Sequence, residues 1–175
     1  MPNPTHKLAT IVFTDIVGFT KLSAENEPLA IQLLETQRTT LKPIVERHNG
    51  NWLKEIGDGL LLTFDTTKDA VDCSIEMQHT VKNVANLDLR IGIHQGEVVI
   101  QGNDVLGDDV NVASRIEPFA SPGGIVVTNR VNASLLRDPV YQTKLVGKPA
   151  LKGVRQEVKL HCIISEDQSI QYMMK

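Results

Sequence analysis

Apolar residues along this chain fall into short dense runs and into longer stretches with helical spacing. Residues 8–14 (LATIVFT) are almost all apolar or β-branched and lead directly to Asp15, which predicts a buried strand that ends at this aspartate. Residues 28–48 and 68–84 instead place apolar side chains three and four positions apart, which predicts two amphipathic helices. The Asn-Gly pair at 49–50 is a typical stop signal for the first of them.

Further strands are predicted by the apolar runs that separate and follow these helices. Two short strands, 51–56 and 60–64, flank the Gly-Asp-Gly turn at 57–59, which is typical of a tight hairpin. A longer strand over 87–100 then reaches a turn at 101–103. The remaining pattern predicts a helix over 109–119, a strand over 125–128, a short helix over 132–136 and two closing strands over 141–146 and 158–163.

The order of these elements is βαββαβ followed by αβαββ. We therefore expect an α+β fold with a ferredoxin-like βαββαβ core, a right-handed crossover and a C-terminal extension. A chain of 175 residues is long enough for one domain with a substantial core, which we assign to 1–163. Residues 164–175 are polar and unpatterned, so we interpret them as a tail or linker.

Composition narrows the range of functions. With 18 Lys and Arg against 21 Asp and Glu, the net charge of −3 gives no electrostatic basis for binding nucleic acid, and aromatic residues at 4% offer few surfaces for base stacking. The only cysteines, Cys73 and Cys162, lie in apolar stretches without metal-ligand spacing, so we expect both in the core. The sequence shows neither a signal peptide nor an apolar run near the ~20 residues of a membrane span, and we predict a cytoplasmic protein.

Two aspartates are expected to meet at one edge of the predicted sheet. In a βαββαβ sheet the first strand ends at the same edge as the turn between strands two and three, which brings Asp15 close to Asp58. Adjacent carboxylates repel each other unless cations lie between them, and two magnesium ions about 3.5–4 Å apart can promote phosphoryl transfer. Gly18 favours this interpretation, because a glycine there lets backbone N–H groups face an anion. Taken singly, Asp15 is also typical of a turn cap and Asp58 of an Asp-Gly hairpin.

Four segments together resemble a known family. Residues 13–20 (FTDIVGFT), 54–58 (KEIGD), 90–96 (RIGIHQG) and 104–115 (DVLGDDVNVASR) are similar, in this order, to four motifs of the class III adenylyl and guanylyl cyclases. The similarity extends over residues 8–163, nearly the whole chain. It implies the class III nucleotidyl cyclase fold and an enzyme that forms a cyclic nucleotide and pyrophosphate from a nucleoside triphosphate.

The resemblance also implies a role for each matching residue. In the family these positions hold two divalent ions (Asp15, the Ile16 carbonyl and Asp58), cradle the triphosphate (Gly18, Phe19 and Thr20), contact phosphates (Arg90 and Lys152) and act on the ribose and the α-phosphate (Asn111 and Arg115). The ions would be Mg²⁺ or Mn²⁺, two per site. Arg115 taken by itself is typical of a helix-surface salt bridge. His94 in the third segment is interpreted as structural, because no potential ligand partner has metal spacing.

Lys54 and Asp104 match the positions that select the base in this family. They correspond to the adenylyl pattern, whereas guanylyl cyclases typically carry Glu and Cys there. Lysine can donate to adenine N1 and a carboxylate can accept from the 6-amino group, so ATP is the expected substrate. Without the resemblance, Lys54 would be an ordinary solvated strand residue.

We therefore expect an adenylyl cyclase that works as a homodimer. In the family each site takes its metal aspartates from one subunit, and Lys54, Asp104, Asn111 and Arg115 from the other. Segment 96–104 is shorter than in members that carry a long dimerisation arm, which bears on the strength of the dimer contact. The alternatives are a guanylyl cyclase, a nucleotide-binding regulatory module without turnover, and a palm-type polymerase or dinucleotide cyclase. The module is disfavoured because the metal and transition-state residues are all present, and the palm-type enzymes because they lack the Asn111/Arg115 helix.

Overall fold

The computed structural model describes residues 4–164, which form eight β-strands and five α-helices. In chain order these are β1 (Thr5–Ile16), α1 (Phe19–Glu25), α2 (Glu27–Arg47), β2 (Asn51–Ile56), β3 (Gly59–Phe64), α3 (Thr67–Val81), β4 (Leu89–Gln101), β5 (Asp104–Leu106), α4 (Asp108–Ile116), β6 (Ile125–Thr128), α5 (Asn129–Leu135), β7 (Thr143–Gly147) and β8 (Leu160–Ile163). A 3-10 turn, Glu117–Phe119, follows α4. The tail predicted from residue 165 onwards lies outside the described residues.

The strands form one mixed sheet in the order β2-β3-β1-β4-β6-β8-β7, with β5 paired to β4. The first four strands have the ferredoxin-like order, and β1 runs antiparallel to both of its neighbours, β3 and β4. The longest pairing joins β1 to β4 from Thr5 opposite Ile100 to Ile16 opposite Leu89. The predicted α+β fold with a ferredoxin-like core is confirmed, and β6 extends it by pairing parallel to β4.

Helices cover the two faces of this sheet unequally. Because strand side chains alternate between faces, Val12 and Ile16 of β1 pack with α2 and α3 in the largest core cluster. Ala9 and Ile11 point the other way and pack with Ala113 of α4 in a smaller cluster. The odd-numbered side of β1, where Asp15 lies, is therefore the side that α4 covers.

Several element boundaries differ from the sequence prediction. Helix α1 was not predicted, and α2 begins at Glu27, where the Asn26 side chain accepts a hydrogen bond from the Leu29 N–H at 3.2 Å. The predicted helix over 109–119 ends as an α-helix at Ile116, because Pro118 cannot continue the backbone hydrogen bonding and a 3-10 turn replaces the last residues. Strand β5 was not predicted.

The other corrections are small shifts. Helix α3 ends three residues earlier than predicted, α5 begins three residues earlier, and β7 and β8 begin two residues later. Neither Cys73 nor Cys162 forms a disulfide bond within residues 4–164, and both are completely buried, as predicted. No helix within residues 4–164 combines the length and the apolar character that crossing a bilayer requires.

Candidate active site

The end of β1 and the β2–β3 turn meet at one edge of the sheet. Asp58 lies in that turn, and its Oδ2 accepts a hydrogen bond from the backbone N–H of Ile16 at 2.8 Å. The buried Gln37 of α2 contacts the same turn, because its Nε2 donates a hydrogen bond to the Asp58 carbonyl at 3.3 Å. Asp15 immediately precedes Ile16, so the topology brings both aspartates to this edge.

Two further ionisable residues lie next to Asp15. Arg90 lies opposite it in the β1–β4 pairing, with its Nη1 3.7 Å from Asp15 Oδ1. Glu117, in the turn after α4, is only 7% exposed. Burial raises the pKa of Glu117 well above its ordinary value of 4.5, and its hydrogen bond with Asp15 and the charge of that carboxylate raise it further. Asp15, Asp58, Arg90 and Glu117 are referred to below as the aspartate corner.

Glu117 was missing from the sequence prediction. It lies inside the helix predicted over 109–119, directly before a proline, and nothing in that position indicates a buried acid. Only the packing of that turn on the sheet brings its carboxyl to Asp15, and no spacing along the chain signals this contact.

The donors of the aspartate corner suit a hard divalent cation. Asp15 Oδ1 is buried and has no hydrogen-bond partner among the described residues, which leaves an acceptor for a cation. Across residues 4–164 no three His, Cys, Asp or Glu side chains form a complete metal-binding cluster. Two carboxylates completed by substrate phosphates are instead the ligand set that magnesium prefers. The residues present therefore fit a cation that binds together with a phosphorylated substrate.

The segment predicted to cradle the triphosphate forms the start of α1. Gly18 precedes this helix with a φ of 75°, a conformation that favours glycine. The side chain of Phe19 packs against the main core, and Thr20 is exposed. The N–H groups of the first helical turn have no partner within the helix, so the backbone is what this segment offers to a phosphate.

Lys54 and Asp104 face each other although they lie fifty residues apart. Their Nζ and Oδ1 atoms are 3.6 Å apart, and both side chains are 51% exposed. Asp104 reaches this position because β5 folds back on β4. The register between β2 and β3 shifts between Trp52 and Lys54. The next residue, Glu55, accepts two hydrogen bonds from Arg38 at 2.8 and 2.7 Å.

Helix α4 presents Asn111 and Arg115 on its outer face. Both residues are exposed, whereas Val112, Ala113 and Ile116 of the same helix are buried. Arg115 forms no salt bridge with any residue between 4 and 164, so the surface ion pair that would give it an ordinary structural role is not formed within this part of the chain.

The β7–β8 connection lies beside α4. Leu151 packs in one cluster with Val112 and Ile116, which places the neighbouring Lys152 near the helix. Lys152 is exposed and has no ion-pair partner in the described chain, whereas Lys148 pairs with Glu157 at 3.0 Å. A cleft of about 550 Å³ separates α4 from this connection. Its lining includes Asn111 and two cations, Arg130 and Arg155.

Residues 1–165 match the family of the adenylate and guanylate cyclase catalytic domain. The chain belongs to this family. It is 32% identical over 91% of its length to a pH-sensitive adenylate cyclase of Mycobacterium tuberculosis, and covers 41% of that protein. It is 29% identical over 85% of its length to a receptor-type guanylate cyclase of Caenorhabditis elegans, and covers 13% of it. The cyclase domain thus spans less than half the length of these relatives.

The fold of the cyclase domain agrees with solved structures. A crystal structure described as an adenylate/guanylate cyclase/hydrolase from Silicibacter pomeroyi superposes with a TM-score of 0.85 and 26% identity, over 94% of this chain and all of the other. The class III cyclase fold implied by the four motifs is therefore confirmed. Membership of the family also implies dependence on a divalent metal.

Proposed function

We propose that this cyclase domain converts ATP to 3′,5′-cyclic AMP and pyrophosphate. The observation that carries the proposal is the opposition of Lys54 and Asp104 at 3.6 Å on an exposed surface. An ammonium group can donate to adenine N1 while a carboxylate accepts from the 6-amino group, and guanine reverses both demands. An exposed ion pair contributes little to stability, so its two groups are available to a ligand at low cost.

In the proposed reaction the ribose 3′-oxygen attacks the α-phosphorus of ATP. The new O3′–P bond closes the ring, the hydroxyl proton passes to solvent, and the bond from the α-phosphorus to the bridging oxygen breaks to release pyrophosphate. Asp15 and Asp58 hold the divalent cations, with the Ile16 carbonyl as a further ligand. When bound, two Mg²⁺ or Mn²⁺ ions supply the charge that makes the hydroxyl more acidic and stabilises the leaving pyrophosphate.

The remaining residues orient and stabilise the substrate. Asn111 positions the ribose, and Arg115 neutralises charge that develops on the α-phosphate, since a preorganised cation stabilises the transition state most where charge increases. Gly18, Phe19 and Thr20 contribute backbone N–H groups to the triphosphate. Arg90 and Lys152 contact its phosphates.

We further propose that the site is shared between two copies of the chain. The residues that act on base, ribose and α-phosphate are exposed: Lys54, Asp104, Asn111 and Arg115. A two-fold dimer can place this surface of one subunit against the aspartate corner of the other and thereby form two equivalent sites. Two observations support this arrangement: Asn111 is exposed, and Arg115 has no ion-pair partner within residues 4–164. A substrate held by the partner would supply contacts for both.

The substrate assignment is tested with purified protein, ATP or GTP, and Mg²⁺ or Mn²⁺, with the product identified by mass spectrometry. We expect cyclic AMP from ATP and little product from GTP. Exchange of Lys54 for Glu and Asp104 for Cys should lower kcat/KM for ATP. Each mismatched polar partner should cost about 1–3 kcal/mol of transition-state stabilisation. Lys144→Glu, an exposed charge reversal on β7, is the control and should leave kcat/KM unchanged for ATP and for GTP. Equal use of both nucleotides by the unmodified protein would refute the adenine assignment.

A further inference from the structure

Three residues of β4 form the surface on which α4 rests. Gly92, His94 and Gly96 alternate along the strand and therefore lie on one face of the sheet. A Cβ atom at Gly92 would lie 2.8 Å from the Cα of Glu117, at the C-terminal end of α4. A Cβ atom at Gly96 would overlap the carboxylate of Asp109, in the first turn of α4. Both glycines are needed because the two ends of the helix approach the strand closely.

His94 joins this surface to the helix by a directed contact. The side chain is 2% exposed, and both ring nitrogens have partners at 2.8 Å: Nδ1 meets Thr128 Oγ1 and Nε2 meets Asp109 Oδ1. Burial lowers the pKa of His94, which favours the neutral ring. An ionised carboxylate only accepts, so Nε2 carries the proton and donates to Asp109, while the Thr128 hydroxyl donates to Nδ1.

Asp109 is also held from the outside. Arg130 of α5 places Nη1 3.6 Å from Asp109 Oδ1, and the same nitrogen donates to the carbonyl of Gln95 on β4 at 3.3 Å. The first turn of α4 is thus fixed to β4 by a buried hydrogen bond and a partly exposed ion pair. Asn111 follows Asp109 by two residues and Arg115 by six, so a rotation or shift of this turn would move both.

We propose that His94 is a positioning residue for turnover: by binding Asp109 it sets the rotation and height of α4 and hence the places of Asn111 and Arg115. The inference rests on the proposed cyclase function. If His94 only satisfied hydrogen bonds in the core, loss of its bond to Thr128 should lower turnover as much as loss of its bond to Asp109. A positioning histidine acts through Asp109, and Gly96 belongs to the same device because it leaves room for that carboxylate.

The test compares four variants at matched stability. His94→Leu removes both bonds of the ring, and Gly96→Ala displaces the Asp109 carboxylate without altering the ring. Both should lower kcat by roughly a hundredfold, the cost of misplacing a catalytic group by about 1 Å, with KM for ATP changed by less than about threefold. His94→Gln can still donate to Asp109 and should recover at least about tenfold of the lost kcat. Thr128→Val, which removes only the bond to β6, should cost less than about fivefold.

Amide hydrogen exchange gives a readout that does not depend on turnover. Protection of the amides in α4 should fall in His94→Leu and Gly96→Ala, and remain in Thr128→Val and in the control Gly147→Ala, where an added methyl group meets nothing within 4 Å. If unmodified protein lacks cyclase activity, the proposed function fails while this exchange pattern still decides whether His94 fixes α4. Unchanged α4 protection in folded His94→Leu and Gly96→Ala, or an equal loss of kcat in Thr128→Val, would overturn the inference.

Discussion

The aspartate corner and the exposed surface around α4 are built in opposite ways. At the corner, Asp58 accepts a backbone hydrogen bond at 2.8 Å, and the buried Glu117 lies against Asp15, whose side chain is 28% exposed. On the exposed surface, Asn111 lies in solvent and Arg115 has no ionic partner within residues 4–164. One half of the candidate site is thus assembled by the chain itself. The other half, called the exposed half below, consists of Lys54, Asp104, Asn111 and Arg115, and in the proposed dimer the substrate and the second subunit complete it.

The largest expected effect is the loss of turnover when either aspartate of the aspartate corner is replaced. Asp15→Ala or Asp58→Ala should lower turnover on the order of a thousandfold, because in the proposed mechanism each removes a ligand of the cations that stabilise the reacting phosphates. The fold should persist, because both carboxylates lie at the rim and not in the apolar core. Steady-state assays at saturating magnesium, with circular dichroism as the check on folding, measure this.

Asp65→Ala is the matched control for these two variants. Asp65 also follows a strand, but β3 runs antiparallel to β1, so this aspartate lies at the opposite edge and pairs with Lys7. Its removal should leave activity within about twofold of normal, since an exposed ion pair contributes at most ~1 kcal/mol to stability. Near-normal activity in either corner variant would mean that the two-metal mechanism is wrong.

A mixing experiment tests whether the two halves belong to different subunits. Asp15→Ala damages the corner and Asn111→Ala damages the exposed half, so each variant alone should be nearly inactive. Random exchange makes about half of the dimers heterodimers, and each of these carries one intact site of two, so about a quarter of normal activity should return. The assay should use high protein concentration, because a weak dimer forms only there.

The contradicting outcome of the mixing experiment is specific. If the mixture stays inactive although labelled subunits are seen to exchange, the corner and the exposed half act within one chain. Mixing Asp15→Ala with Asp58→Ala is the control. Both lesions lie in the corner, so every site of every dimer remains damaged and no activity should return.

Two lysines of the β7–β8 connection, Lys148 and Lys152, are compared to test which of them contacts the triphosphate. Lys152 has no ion-pair partner within residues 4–164, whereas Lys148 pairs with Glu157 at 3.0 Å. Lys152→Ala should therefore raise KM for ATP by about 10- to 100-fold, since a hydrogen bond to a charged group contributes roughly 1.5–3 kcal/mol. Lys148→Ala should change KM by less than about twofold. A larger effect from Lys148→Ala would assign the phosphate contact to that residue instead.

The sequence predicted those parts of the site that follow from local pattern and sheet topology. Asp15 could be placed because a dense apolar run ends there, and Asp58 because the hairpin must turn at the same edge as β1. Strand β5 escaped prediction because three residues carry too little periodicity, and α1 because its seven residues bury none of their side chains. Asp104 was found only through the family resemblance.

Tertiary packing determines what the sequence could not show. Glu117 becomes buried because Gly92, on a strand distant in sequence, lets the turn after α4 approach the sheet. The contact of His94 with Asp109 depends in the same way on how α4 docks on β4. Neither partner is signalled by spacing, because each contact joins elements whose relative position only the complete fold defines.

The smallest expected effect concerns the buried acid of the corner in metal-free protein. The pKa of Glu117 is raised in the folded state above its ordinary value of 4.5 by burial and by Asp15. Folded protein then binds a proton more tightly than unfolded protein does. The stabilisation is fully present below pH 4.5 and is lost as the pH rises towards the raised folded pKa. The part of the stability in EDTA that depends on Glu117 should therefore decline as the pH increases from 5 to 8.5, so Glu117→Gln should make the slope of stability against pH less negative.

Thermal unfolding in EDTA across that range measures the slope, where a change of 1 kcal/mol corresponds to roughly 2–4 °C in Tm for a chain of this size. Glu97→Gln, at an exposed position of β4, is the control and should keep the slope of the unmodified protein. Asp15→Ala should also reduce the slope, because it removes the hydrogen bond and the negative charge by which Asp15 raises the pKa of Glu117. If Glu117→Gln and the unmodified protein lose stability in parallel as the pH rises, the acid at this corner is ionised in the folded protein, and the corner is less closed than its buried contacts indicate.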